Sequence, residues 1–278
     1  MRVLHCITGL TGDGAQRMLL RLATGLRQLG IDSVVVNLGD STPLGSDFEA
    51  VEVPVVSLGI SPTLTELPGA IFALRRMIRD VSPDIIQGWM YHANVLALVA
   101  TRAVQRRPPL AWNVRRGLDD YYERSRSTRA IMRVSSMLSR YADSIVYCSK
   151  ICRSQHETFG YAPENGHVMY NGFDTEKFTP SEHAREEARA IFGAHQEEVV
   201  IGNVGRFDVA KGHRYLFEAF ALVATRVRNV RLVCVGRGMD AGNTEIADMI
   251  TQTGAWGRVT LLGERAQIQN MFPGFDMY

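Results

Sequence analysis

The chain has 278 residues, of which 46% are hydrophobic and 22% charged, and its net charge is +2. This composition is typical of a soluble globular protein whose core needs neither disulfides nor metals, and nucleic acid is not an expected partner. No apolar run is long enough to span a bilayer, and the four scattered cysteines predict reduced thiols, a cytoplasmic location and no metal site.

The first part of the chain alternates between short apolar strands and helices. Gly30 and Ser82-Pro83 are the end signals of two of these helices. Such alternation predicts a parallel sheet covered by helices on both faces. The predicted strands span 2–7, 33–38, 84–87, 110–114, 144–147 and 168–169, and the predicted helices span 15–29, 65–81, 94–104 and 131–140.

A second alternation follows a polar helical segment at 181–192. The predicted strands span 199–204, 230–235 and 259–262, the helices 215–225, 244–253 and 267–272, and a last strand is expected to begin within 275–278. The predicted fold class is therefore α/β, with two Rossmann-like doubly wound parallel-sheet domains, the second incomplete. We place the first domain at 1–174 and the second at 175–278.

The first loop, from Thr8 to Ala15, joins a strand to a helix and contains three glycines, including Gly12 and Gly14. Glycines let the backbone approach a ligand, and a helix N-terminus favours an anion, so the loop suits a phosphate or a sugar hydroxyl. The glycine spacing differs from the dinucleotide fingerprint, and no acidic residue ends the second strand. A nicotinamide-dependent dehydrogenase is therefore disfavoured.

A second candidate loop follows the first strand of the second domain, from Gly205-Arg206 to Lys211-Gly212. A turn could bring both cations toward one diphosphate, in charge-assisted contacts worth about 1.5–3 kcal/mol each. The structural alternative is a pair of exposed cations that contributes little. The position favours a binding site, because ligands of open α/β sheets bind at the C-terminal ends of strands.

Further motifs lie along almost the whole chain. They are Ser82-Pro83-Asp84-Ile85-Ile86, Cys148-Ser149-Lys150, Asn171-Gly172-Phe173-Asp174 with the following Phe178-Thr179-Pro180, Glu218-Ala219-Phe220 after the second loop, and Val235-Gly236-Arg237-Gly238. In type and order, these motifs and the second loop resemble those of the retaining glycosyltransferases of family 4, which have the GT-B fold. Each motif is moderately specific, and together they make the resemblance strong.

The resemblance implies a hexosyltransferase-type enzyme that moves a sugar from a nucleoside-diphosphate sugar to a glycan, lipid-linked or other acceptor with retained configuration. Cell-surface polysaccharide or lipopolysaccharide synthesis is the implied setting. Gly205, Arg206 and Lys211 are implied to bind the donor diphosphate without a metal or other cofactor. Family members carry a Glu-x7-Glu motif just beyond the strand that begins here at Phe275, so we expect that motif downstream of Tyr278.

The resemblance also implies roles for residues of the first domain. A histidine often faces the reacting sugar in this family, and His92 follows a predicted strand in the loop from Gly88 to Asn94. Its implied role is to orient or polarise the sugar, and a structural role in a packed loop is the alternative. The residues implied to line the cleft are Gly12 and Gly14, and those implied to join the two domains are Asn171, Gly172 and Asp174.

Two other functions stay open at this level. One is a GT-B sugar-nucleotide epimerase, which uses similar chemistry, and the other is a non-catalytic fragment that binds nucleotide sugars or glycans. The segment from Arg102 to Arg133 adds a further feature, since it holds nine arginines and three acidic residues, a local charge of +6. It is either a solvated face or a patch for an anionic acceptor or lipid headgroups, which would make the protein peripheral at the inner face of the membrane.

Overall fold

The computed structural model describes residues 1–12, 14–40, 43–60, 66–102 and 104–278. Asp13, in the first loop, and Thr65, at the predicted start of a helix, lie outside the described residues. The chain divides into two compact units, Met1–Gly172 and Phe173–Tyr278. Each unit contains its own parallel sheet.

In its described residues, the first unit contains a seven-stranded sheet in which all neighbouring strands are parallel. Its strands are β1 (Arg2–Ile7), β2 (Asp32–Asn37), β3 (Val55–Ser57), β4 (Ile85–Trp89), β5 (Leu110–Val114), β6 (Ser144–Tyr147) and β7 (Gly166–Val168). They lie in the order β3-β2-β1-β4-β5-β6-β7. The strand order therefore reverses between β1 and β4.

Helices pack on both faces of this sheet. They are α1 (Gly14–Gln28), α2 (Gly45–Ala50), α3 (Leu67–Val81), α4 (Met90–Arg102), α5 (Arg126–Leu138) and α6 (Lys150–Phe159). Successive residues of a strand point to opposite faces, and neighbouring Val35 and Val36 accordingly belong to different core clusters. The cluster around Val35 includes residues of α1 and α2, whereas that around Val36 includes residues of α3, α4, α5 and α6.

The second unit repeats this architecture on a smaller scale. Its elements are α7 (Glu182–Phe192), β8 (Val199–Val204), α8 (His213–Arg226), β9 (Val230–Val235), α9 (Thr244–Thr253) and β10 (Val259–Leu261). The strands form a parallel sheet in the order β10-β9-β8, and Met277 forms a parallel bridge with Ile201 of β8. The chain therefore passes from β10 at one edge to the far side of β8, so the order also reverses beside β8.

Asp276 links the last residues of this unit to α7 and β8 through hydrogen bonds. Its carboxylate accepts hydrogen bonds from Arg185 at 2.5 Å, from Arg189 at 3.1 Å and from the Val200 amide at 2.7 Å. These donors hold the pKa of Asp276 below its ordinary value, although burial opposes them. Arg189 is buried and also donates to three carbonyls at 195–198, so its charge is well satisfied.

The predicted α/β class with parallel sheets is confirmed, and most strands lie where they are predicted. The differences concern short or polar elements: α2, β3 and α6 are additional, and 267–272 forms short 3-10 turns in place of a helix. Both α4 and α5 begin earlier than predicted. For α5 the reason is local, because Ser125 caps the helix by accepting from the Thr128 amide at 3.2 Å. No helix among the described residues has the length and apolar character needed to cross a bilayer.

Candidate functional site

The first group of candidate residues lies at the strand-order reversal of the first unit. The loop that contains Gly12 follows β1, and His92 follows β4, so they border the two strands between which the order reverses. Ligands of open α/β sheets bind outside the C-terminal ends of the strands at such a point. The topology therefore places Gly12 and His92 where a ligand is expected.

Gly12 is the one glycine of the first loop whose described backbone requires glycine. Its φ is +93°, which side-chain-bearing residues rarely adopt. The Arg17 guanidinium on α1 donates to the Gly12 carbonyl at 2.9 Å and holds the loop against the helix. Gly14 is the first residue of α1, and a Cβ atom there would meet open space. Its backbone is thus accessible at the helix N-terminus.

His92 lies in the first turn of α4 and not in a loop, which corrects the prediction for residues 88–94. The physical reason is a direct turn from strand to helix: β4 ends at Trp89, and Met90 has a φ of +67°. A Cβ atom on Gly88 would lie 2.8 Å from the Asn94 Cα, so only glycine permits this turn. The imidazole of His92 is half-buried, and burial lowers its pKa. A neutral ring at neutral pH can orient or polarise a substrate hydroxyl.

Arg115 is a further candidate site residue, and the sequence analysis did not identify it. It follows β5 directly, and its Nη1 donates to the Met169 carbonyl at 2.9 Å and to Asn171 Oδ1 at 3.2 Å. Its guanidinium also lies 5.7 Å from the centre of the Trp89 ring, a cation–π contact. Its position at the end of a predicted strand could have indicated a role at the site. In the sequence, however, it is one of many arginines in the same segment.

Asn171 and Gly172 are both held by arginines of the first unit. Arg115 binds the Asn171 side chain, and Arg21 on α1 donates to the Gly172 carbonyl at 3.3 Å. Asp174 belongs to the second unit and organises a local turn, because its Oδ1 accepts from the amides of Glu176 and Lys177 at 3.1 and 3.2 Å. The three residues of the predicted interdomain motif therefore flank the boundary between the units.

The second group lies at the strand-order reversal of the second unit, in the loop after β8. Glycine permits a close backbone approach here, because a Cβ atom on Gly236 would lie 2.1 Å from the Gly205 carbonyl oxygen. The Gly205 amide donates to the Val235 carbonyl at 2.8 Å, and the Phe207 amide donates to the Arg237 carbonyl at 2.8 Å. The loops after β8 and β9 are thus joined at their backbones.

Two of the three predicted diphosphate ligands of this loop, Arg206 and Lys211, contact Asp208. The Arg206 guanidinium binds Asp208 Oδ2 from Nε at 3.2 Å and from Nη2 at 2.7 Å, and the Lys211 amide donates to the Asp208 carbonyl at 2.9 Å. The Lys211 side chain is exposed, and Gly212, with a φ of +65°, starts α8. Asp208 is a further residue that the sequence pattern did not single out, although an acid two residues from an arginine was a visible signal.

Two family models match the chain in succession. Residues 12–177 match the model described as Glycosyltransferase Family 4, which is more than half of the chain, and residues 198–278 match Glycosyl transferases group 1. A curated relative, the putative glycosyltransferase EpsF of Bacillus subtilis strain 168, is 24% identical over 295 residues. That match covers 100% of this chain and 72% of EpsF.

Solved structures show the same fold. The crystal structure of Anabaena Alr3699/HepE in complex with UDP and glucose has a TM-score of 0.81 at 22% identity, over 99% of this chain and 73% of that one. Sucrose-phosphate synthase (tll1590) from Thermosynechococcus elongatus has a TM-score of 0.76 at 15% identity, over 99% and 74%. The likeness shows that the chain has the GT-B fold. With most of its first unit matched by the family model, the chain belongs to glycosyltransferase family 4 and is a transferase enzyme.

Proposed function

We propose that the enzyme transfers a sugar from a nucleoside-diphosphate sugar to a glycan or lipid-linked acceptor with retention of configuration, in cell-surface polysaccharide or lipopolysaccharide synthesis. The observation that carries the proposal is the position of the loop from Gly205 to Gly212 at the strand-order reversal of the second unit. The HepE structures contain UDP, UDP with glucose, or UDP-glucose, which supports a UDP-type donor.

In the proposed reaction, the bond between the anomeric carbon and the β-phosphate oxygen breaks, and the leaving diphosphate takes the electron pair. An acceptor hydroxyl forms the new bond on the same face of the sugar, and its proton passes to the departing diphosphate. Negative charge therefore develops on the diphosphate as it departs. Groups that stabilise this charge lower the barrier.

Arg206 and Lys211 supply that stabilisation in the proposal. Each is a cation in the loop after β8, and α8 adds the positive end of a 14-residue helix directly after Gly212. Protein charges perform this task, so we propose no metal or other cofactor. Transfer unchanged by a chelator is the expected result, and a requirement for added divalent cation would contradict this part of the proposal.

The first unit contributes His92 and the loop that contains Gly12 and Gly14. We propose that His92, neutral at physiological pH, orients or polarises the transferred sugar. Gly12 and Gly14 offer backbone groups at the start of α1, a 15-residue helix whose N-terminus favours anionic or hydroxyl oxygens. Both features border the strand-order reversal of their own sheet.

Calorimetric titration with UDP tests the diphosphate site. We expect Arg206→Ala and Lys211→Ala each to weaken binding by about 10- to 150-fold, the equivalent of one lost charge-assisted contact. Arg226→Ala is the matched control, because Arg226 is the exposed last residue of α8, at the end opposite Gly212. Undiminished affinity in Arg206→Ala would remove Arg206 from the site.

The reaction itself is tested with UDP-glucose and candidate acceptors. Release of UDP only when an acceptor is present supports a transferase, whereas a change of the sugar without an acceptor indicates an epimerase. NMR of the product gives its anomeric configuration, and inversion would contradict the proposed retention. Binding of UDP-glucose without any turnover would indicate a non-catalytic binding protein.

A further inference from the structure

An exposed surface of the first unit combines arginines with apolar side chains. We call it the α5 surface and define it by Arg126, Val134, Met137, Arg140, Tyr141 and the neighbouring Arg102. The first three lie on α5 at helical spacing, so they share one face. Two cations contact the ring of Tyr141. The guanidinium of Arg102 lies 4.7 Å from the ring centre, and that of Arg140 lies 5.8 Å from it.

Other arginines in the same stretch of sequence are bound to polar side chains and do not belong to the α5 surface. Arg116 and Arg124 both bind Asp120, Arg107 binds Asp143 at 2.7 Å, and Arg115 points to Asn171. The nine arginines of the sequence segment are therefore not one patch. The surface charge belongs to the exposed residues of α5 and its surroundings.

Two acidic residues that flank α5 in the sequence, Asp120 and Asp143, are bound by arginines. Residues 124–142 contain five arginines and no acidic residue. Asp143, the next residue, is bound by Arg107 and also accepts from the Leu110 amide at 2.7 Å. Asp120, before the helix, is bound by Arg116 and Arg124. Glu123, just before this stretch, is exposed, so residues 123–142 carry five arginines against one carboxylate. The α5 surface is therefore positive.

Exposed apolar side chains lie among these charges. Met137 is 66% exposed, Tyr141 44% and Val134 41%. A long thioether, an interfacial tyrosine and a valine beside arginines are the groups that enter the headgroup region of a bilayer while the guanidiniums bind phosphates. A soluble polyanion would use the arginines and gain nothing from the apolar groups.

We propose that the α5 surface docks the enzyme on an anionic phospholipid bilayer. The arginines supply the attraction to lipid phosphates, which is charge complementarity, and Met137, Val134 and Tyr141 supply shallow insertion. This proposal does not depend on the donor site, because every residue of the α5 surface lies in the first unit and outside the loops at the strand ends.

Vesicle flotation of the full chain tests the proposal. The vesicles are phosphatidylcholine alone and phosphatidylcholine mixed with phosphatidylglycerol, each at low and high salt. We expect binding to the anionic vesicles at low salt, loss of binding at high salt and no binding to the neutral vesicles. Arg126→Gln combined with Arg140→Gln should lower partitioning by roughly 30-fold.

Arg226→Gln combined with Arg228→Gln is the matched control, since both residues are exposed in the second unit and the change in net charge is the same. Met137→Ser should weaken binding while leaving its salt dependence in place. An unchanged circular-dichroism spectrum and an unchanged urea unfolding midpoint in each variant show that the chain remains folded. Equal losses in the two double variants, equal binding to neutral vesicles, or retention by soluble dextran sulfate without vesicle binding would overturn the proposal.

Discussion

The Arg206 guanidinium donates two hydrogen bonds to a single carboxylate oxygen of Asp208, at 3.2 and 2.7 Å. A negative charge therefore stands in the loop proposed to bind a diphosphate. The phosphate oxygens must share or replace this contact when the donor binds. In the proposed site, Asp208 would thereby oppose donor binding, and it would hold Arg206 in place before the donor arrives.

Substitution of Asp208 by Asn tests this competition. We predict that Asp208→Asn binds UDP about fivefold more tightly, because a half-exposed ion pair contributes about 1 kcal/mol. Calorimetric titration gives the affinity, and Asp248→Asn, an exposed residue of the same unit, controls for the change in net charge. Weaker binding in Asp208→Asn would mean that Asp208 mainly positions Arg206 for the phosphate.

The pH dependence of transfer should reveal His92. Burial lowers the pKa of His92, so the ring stays neutral until the pH falls below the ordinary histidine range. We predict a transfer rate that falls only below that range. His92→Asn should lower kcat by about 100-fold with little change in the KM for the donor, and it should remove this acid limb. His183→Asn, an exposed histidine of α7, is the control, and an acid limb retained in His92→Asn would contradict the assignment.

The stability of the protein should fall in mild acid because of His5. This fully buried ring contacts Gln87 Oε1 at 3.0 Å and Ser33 Oγ at 3.3 Å, and burial lowers its pKa from 6.5 to about 4. Below pH 6.5, His5 becomes protonated in the unfolded chain but stays neutral in the folded chain. The free energy of unfolding should therefore decrease by about 3 kcal/mol between pH 6.5 and pH 4 from this group alone.

Urea unfolding across this pH range measures the effect. We expect His5→Gln to show a shallower pH dependence than the wild type, while His167→Gln, an exposed residue of β7, keeps the original dependence. The same slope in His5→Gln and in the wild type would show that another group is responsible.

Cys148 should be the most reactive thiol. The neighbouring Cys152 thiol, together with the charge of Arg115, lowers the pKa of Cys148 to about 6, although burial opposes this. Burial raises the pKa of Cys6 and Cys234 to about 12. Iodoacetamide at pH 7 should therefore alkylate Cys148 first, as peptide mass spectrometry would show. Cys152→Ala should slow the labelling and Cys152→Ser should preserve it, whereas equal rates in the two variants would exclude the polar Cys152 side chain as the cause.

Gly236 should tolerate no side chain. Its Cβ would lie 2.1 Å from the Gly205 carbonyl oxygen, so Gly236→Ala must displace the joined loops after β8 and β9. We predict a loss of about 1–3 kcal/mol in the free energy of unfolding, measured with urea, and weaker UDP binding. Gly257→Ala, where the Cβ would meet open space, should leave both unchanged. A Gly236→Ala variant as stable as this control would contradict the close approach.

The sequence predicts the strands that are continuous apolar runs, such as β1, β5, β8 and β9, because buried parallel strands need that pattern. It does not predict β3, which is three residues long, or α6, whose polar sequence depends on the Ser149 cap. Contacts between distant residues are also hidden. Packing across the sheet produces the direct turn at Gly88 and Met90 and the hydrogen bond from Arg115 to Asn171. The contact between Arg206 and Asp208, by contrast, is local and could have been predicted from the sequence of their loop.

Helix α1 carries Arg17 and Arg21, one turn apart, and their guanidiniums bind the carbonyls of Gly12 and Gly172. A single helix therefore specifies the conformation both of the loop at the proposed sugar site and of the residue at which the first unit ends. Any coupling between a ligand that orders Gly12 and the conformation of Gly172 would act through α1, and thermodynamic linkage would make it equal in both directions. The backbone at the proposed site and the backbone at the end of the first unit thus depend on side chains of the same helix.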